Sequence, residues 1–193
     1  MKFVLFLIFT LNLSITAIFA EETRQVDQHE HGVGELNIAV DGSLINFEFM
    51  LPGADIVGFE YEAKNDEDLA KIQNALLMLE NYENIFTIPK NSLCKLIDLD
   101  SHLSGDEHDE HEDEHDEHED EHDEHEDEES HTEFYAKYSF SCENINEINQ
   151  IEFSYFKTFP KSSELEIQFI SDKGTSGFEV DAAKPIINIK GLI

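Results

Sequence analysis

Basic residues are scarce in this chain: 12 Lys and Arg stand against 44 Asp and Glu, giving a formal net charge of −32. Such a balance repels nucleic acid and anionic membrane surfaces and leaves cations as the favoured partners. Cysteine is scarcer still, with only Cys94 and Cys142. Two lone thiolates cannot complete a tetrahedral metal shell, which argues against a Cys-only site. In an exported chain with no third cysteine, one disulfide is the default expectation. It would close a loop of about 50 residues, which the chain-entropy treatment values at roughly 4 kcal/mol. Catalytic signatures are missing too. There is no Ser/His/Asp order, phosphate loop or nucleotide fingerprint, and Gly32-x-Gly34 is too short for a nucleotide motif. An enzyme is therefore not expected.

Long apolar runs are absent except at the start. Lys2, the apolar stretch Phe3–Phe9 and Ala20 before Glu21-Glu22 read as a secretory signal peptide over residues 1–20. Thr10, Asn12 and Ser14 interrupt the stretch, so it makes a poor membrane span. An uncleaved anchor is the alternative, and Ile18 is bulky for a cleavage site. After cleavage, residues 21–193 are expected to form a single domain with no membrane segment, interrupted by a flexible acidic and His-rich tract over 104–131.

That tract is what the chain has in abundance. Residues 106–129 hold 18 Asp or Glu and 6 His and nothing else, and 107–127 are three copies of Glu-His-Asp-Glu-His-Glu-Asp. Its histidines, His108, His111, His115, His118, His122 and His125, are spaced alternately three and four apart. On a helix that spacing puts all six on one face, and neighbours at i,i+3 or i,i+4 can chelate Zn²⁺ with carboxylates completing the shell. Imidazole density favours Zn²⁺, Cu²⁺ or Ni²⁺ over the hard cations. Without metal the tract should stay unfolded, because it has no apolar residue and its carboxylates repel one another. Several labile sites are expected rather than one rigid cage. The carboxylate field favours protonated imidazole, so affinity should fall as the pH drops through about 6–7. A solvated acidic spacer needs no histidine. A metal-free pH sensor would use the same imidazoles.

His29-Glu30-His31 forms a second candidate, since His-x-His on extended backbone puts both rings on one side. His102 and His131, at the roots of the tract, are further candidate ligands.

The body reads as α+β, mainly antiparallel sheet with one main amphipathic helix. Leu36, Ile38 and Val40 alternate, Asp41-Gly42 supplies a turn, and Leu44–Leu51 alternates again, a hairpin signature. Leu69, Ile72, Ala75, Leu76 and Leu79 recur at helical spacing behind a cap at Asn65 or Asp66. Leu93–Leu99 and Phe134–Cys142 read as partner strands with the tract at their far end, and a long insertion there is cheap in loop entropy. Facing Cys94 with Cys142 puts His102 opposite Phe134. Further strands are expected at Ile151–Phe156, Glu164–Ile170, Gly177–Val180 and Ile186–Ile189.

The order of motifs resembles the ZrgA-type periplasmic zinc-binding proteins. The motifs concerned are His29-Glu30-His31-Gly32 before a Leu-x-Ile-x-Val strand, Gly58-Phe59-Glu60, Leu93-Cys94-Lys95, the His-rich insertion, Tyr138-Ser139-Phe140-Ser141-Cys142, Phe156-Lys157-Thr158-Phe159-Pro160, and Ile167-x-Phe169 with Gly174. The resemblance implies a periplasmic protein that captures or buffers zinc, delivers it to an ABC-type importer or its binding protein, and pairs Cys94 with Cys142. The tract departs from the family in being richer in Glu. The competing expectation is an envelope interaction or structural protein in which the tract only solvates.

Overall fold

The structure is a computed structural model that describes residues 32–104 and 132–193. Its strands are β1 (Val33–Asp41), β2 (Leu44–Pro52), β3 (Phe86–Thr87), β4 (Cys94–Ser104), β5 (Glu133–Cys142), β6 (Gln150–Phe153), β7 (Glu164–Ser171), β8 (Gly174–Asp181) and β9 (Ile186–Asn188). Its helices are α1 (Gly53–Ile56), α2 (Asp66–Leu79) and α3 (Tyr155–Thr158). Six strands form one sheet in the order β4-β5-β2-β1-β7-β8, and β3, β6 and β9 form a second. The α+β reading, largely antiparallel with one main helix, is what the structure shows. Among the described residues, only β1 and β7 pair in parallel.

The alternation that marks β1 and β2 in sequence becomes a two-faced sheet. Leu36, Ile38, Ile45, Phe47, Phe49 and Leu51 point to one side and are buried, as are Phe134, Ala136, Tyr138 and Phe140 of β5 and Leu165, Ile167 and Phe169 of β7. Burying each large side chain stabilises by about 1.5–3 kcal/mol. The rings interlock with β3, Phe47 stacking on Phe86 at 4.2 Å and Tyr138 meeting Phe86 edge-on at 5.4 Å. The second sheet and the helices cover this inner face, while the outer face carries Glu35, Glu48, Glu166 and Glu179 and faces water.

The helix α2 begins at Asn65, whose side chain accepts from the Asp68 N–H at 2.9 Å. The buried stripe differs from the apolar spacing in one place: Leu69 is 48% exposed, whereas Asp68 is 5% exposed. Asp68 can turn inward because it accepts hydrogen bonds from Tyr61, Asn65 and Lys71. At the other end, Tyr138 Oη donates to the Leu79 carbonyl at 2.5 Å, tying α2 to β5. The strand expected over Ile151–Phe156 stops at Phe153, because the chain turns there into α3.

Cys94 and Cys142 are joined by a disulfide and sit opposite each other across β4 and β5. From there the register corrects the sequence expectation. A bulge between Leu96 and Asp98 inserts one residue into β4, so His102 pairs with Tyr135 and Leu103 takes the place opposite Phe134. Because strand side chains alternate, one inserted residue flips everything beyond it. Leu99 and Leu103 thereby pack against the core, and Asp98, Asp100 and His102 are carried to the outer face.

Candidate metal centre

Of the ten histidines, His102 alone lies among the described residues. His29, His31, His108, His111, His115, His118, His122, His125 and His131 lie outside them. The structure instead defines where the chain enters and leaves these histidine-bearing segments.

Gly32, directly after His31, is held from both sides. Its N–H donates to Asp55 Oδ1 at 3.0 Å, and its carbonyl accepts from the N–H groups of Ser163 and Glu164 at 2.8 and 2.9 Å. Its φ of 92° lies in the left-handed region that glycine tolerates. Thr132, directly after His131, is held as firmly. The Gly53 N–H donates to the Thr132 carbonyl at 2.8 Å, and the Thr132 N–H donates to the Glu60 carbonyl at 2.9 Å. Its hydroxyl donates to the Tyr61 carbonyl at 3.2 Å. A Cβ on Gly53 would stand 2.6 Å from the Thr132 oxygen and 2.7 Å from that of Phe59, so only glycine permits this approach.

Gly53 and Asp55 belong to one turn, α1. The chain neighbours of His31 and His131 are therefore hydrogen-bonded to the same four-residue helix, beside a carboxylate that is 5% exposed. That carboxylate is felt nearby. Burial pushes the Tyr155 phenol well up, the hydrogen bond from Ser162 opposes this, and the Asp55 charge adds to it. The loop after α1 is anchored in turn through Tyr61, whose hydroxyl donates to Asp68 at 2.8 Å. Hydrogen bonds to Asp68 from Lys71, then Asn65, then Tyr61 hold its carboxyl down at about 2.

His102 occupies a different place, on the outer face near the edge of the sheet. Its Nδ1 lies 3.2 Å from Asp100 Oδ2, and its ring leans on Tyr135 at 4.9 Å between centroids. Burial, then the charges of Glu48 and Asp100, push the Tyr135 phenol up. Among the described residues, no group of three or more His, Cys, Asp or Glu is disposed to hold a metal ion. Also among them, no helix is long and apolar enough to cross a membrane.

Sequence reading missed Asp55, Gly53, Thr132 and Asp100. One signal was present for the first, a lone acid between Pro52-Gly53 and the apolar Ile56 and Val57. The others acquire meaning only through partners distant in sequence.

A β-rich body whose hairpin β4–β5 is interrupted by an imidazole- and carboxylate-rich run has the build of a protein that handles cations. Comparison with known families narrows the class: residues 28–189 match the ZrgA family zinc uptake proteins, and the chain belongs to that family. No match was found among curated proteins. Family membership gives the protein a zinc-related role.

Proposed function

We propose that the protein captures and buffers Zn²⁺ in the periplasm, after export through residues 1–20, and passes it to an ABC-type zinc importer or its binding protein. It acts as a binding protein, not an enzyme. The observation that carries this reading is the convergence of Gly32 and Thr132 on α1 beside Asp55. His31 and His131 are one peptide bond from those two anchors, and His29 is two residues further along the chain. A body site drawing on His29, His31 and His131 would thus be preorganised by hydrogen bonds to glycine and threonine backbone. Preorganisation of that kind is what a tight site needs and what a run of Asp, Glu and His lacks.

Two kinds of binding follow. The six tract histidines, His108 to His125, supply capacity through labile sites, and the body supplies one tighter site. Calorimetry with zinc on the mature chain tests this directly. Deleting residues 106–129 should remove most of the stoichiometry and leave one tight site. Replacing His29, His31 and His131 with Asn should remove that site and leave the labile capacity. A deletion variant with full stoichiometry would overturn the capture role of the tract and favour an envelope interaction protein. Competition with Cu²⁺ and Ni²⁺ at matched free-metal levels identifies the metal, since intrinsic affinity alone favours copper.

A further inference from the structure

A leucine in left-handed backbone is out of place, because its Cβ crowds the neighbouring carbonyl and glycine is the usual occupant. Leu93 nevertheless has φ 52° and ψ 45°, and among the described residues no other non-glycine has a positive φ. It stands directly before Cys94. Asn144 holds the stretch ahead of it, its N–H donating to the Ser92 carbonyl at 2.9 Å and its side chain to the Asn91 carbonyl at 3.1 Å. The Cys94–Cys142 bond closes the same junction one residue later. Such strain persists only where the surroundings over-determine the backbone. Opening the bond removes one of those constraints and lets the strain relax, which favours reduction.

The two sulfurs differ in access. Cys142 is 3% exposed. Cys94 is half-buried and lines a groove of about 360 Å³ with the apolar Ile88, Pro89 and Leu93 among its walls. Lys90 and Lys95 stand there against Glu83 and Glu143, so the local charges cancel in a chain whose formal net charge is −32. The acidic excess turns a thiolate away from the chain at large, and this groove is an exception. Lys95 Nζ lies 3.5 Å from Glu143 Oε1 with both side chains well exposed, a pair too solvated to lock the lysine.

We propose that Cys94 Sγ is a thiol–disulfide exchange site, and that this groove seats the dithiol loop of a protein oxidoreductase. The thiolate of that loop attacks Cys94 Sγ and forms a new disulfide with it. The Cys94–Cys142 bond breaks, and its electron pair leaves on Cys142, which takes a proton from water. The second thiol of the loop then displaces Cys94, which departs with its electron pair and a proton. The oxidoreductase is left as a disulfide and this chain with two thiols; the reverse sequence installs the bond. The site thereby governs whether β4 is pinned to β5, a property that goes beyond zinc capture and does not depend on it.

The test is trapping on the oxidised mature chain. The probe is thioredoxin with its resolving cysteine replaced by Ser, quenched with N-ethylmaleimide and mapped by peptide mass spectrometry. The mixed disulfide should fall on Cys94 and the maleimide on Cys142. Lys90→Glu combined with Lys95→Glu should slow trapping about tenfold. Glutathione at equal thiolate concentration should react more slowly than thioredoxin. Leu93→Gly, which relieves the strain and keeps both sulfurs, should make equilibrium reduction by dithiothreitol about fivefold harder. An adduct on Cys142, or one spread evenly over both sulfurs, overturns the proposal. So does a folded chain that stays untrapped while the urea-unfolded chain reacts fully, or a charge-reversed variant trapped at the parent rate. Faster reaction with glutathione rules out the protein dithiol as occupant, and a Leu93→Gly variant reduced as easily as the parent chain removes the poised bond on which the site rests.

Discussion

Two hairpins of the large sheet, β1–β2 and β4–β5, are closed in opposite ways. Between β1 and β2 the strands are joined by Gly42-Ser43, with Asp41 paired to Leu44 directly before the turn. Gly42 has a φ of 58°, and glycine leading a two-residue loop matches the twist of the strands it joins. Between β4 and β5 the connection is residues 105–132, far too long to set a register. Register there is held at the opposite end of the strands, by the Cys94–Cys142 bond and the bulge after Leu96. A hairpin pinned at its closed end must keep a short turn. One pinned at its open end leaves its tip available for an insertion of almost any composition, and here for the acidic, histidine-rich run.

The largest test of that contrast removes the pin. Replacing Cys94 and Cys142 with Ser should cost about 4 kcal/mol in urea unfolding, within the usual span for a loop of this length. A loss under about 1 kcal/mol would mean that strand packing alone holds β4. Inserting one residue after Ile97 should cost roughly 2–4 kcal/mol, since either Leu99 and Leu103 leave the core or the disulfide register fails. Deleting Ile97, the residue the bulge leaves unpaired, keeps Leu99 opposite Tyr138 and Leu103 opposite Phe134 and should cost no more than about 1 kcal/mol. Deleting residues 106–129 should change stability by no more than about 2 kcal/mol, in the stabilising direction, because loop entropy grows by only about 0.6 kcal/mol per doubling of length. In the other hairpin, Gly42→Val should cost about 1–2 kcal/mol through backbone strain alone, since nothing lies within 4 Å of a Cβ there.

The smallest effect concerns α2, which is fastened over β5 through Tyr138. Asp68 has its folded pKa lowered to about 2 from 3.8. A depressed carboxyl stabilises the fold above its unfolded pKa and loses that contribution as the pH falls through the folded value. Stability should therefore decline between about pH 4 and pH 2. In Asp68→Asn this part of the decline should be absent, which acid titration of the unfolding midpoint would measure.

Local chemistry made the first hairpin and α2 legible. Alternation, Asp41-Gly42 and the Asn65 cap act within a few residues of themselves, so composition and spacing report them. The same spacing misassigned Leu69, because the hydrogen bonds that let Asp68 turn inward include one from Tyr61, outside the helix. It also put His102 opposite Phe134, because nothing in Leu96-Ile97-Asp98 announces a bulge. The bulge follows from two demands made elsewhere, a fixed Cys94–Cys142 pair and a core that needs Leu99 and Leu103.

For the candidate site the division is sharper. The acidic excess, the triplicated repeat and the His-x-His pair are properties of the chain itself, and they direct it toward cations before any folding, because charge and ligand type do not depend on conformation. The sequence by itself determined that chemistry, together with the two cysteines and the alternating and helical periods of the body. Only the tertiary structure brought Gly32 and Thr132, a hundred residues apart, onto one turn of helix beside Asp55, and turned His102 and Asp100 outward together. Both are consequences of long-range pairing, β1 against β7 and β4 against β5, whose register depends on what the whole core buries.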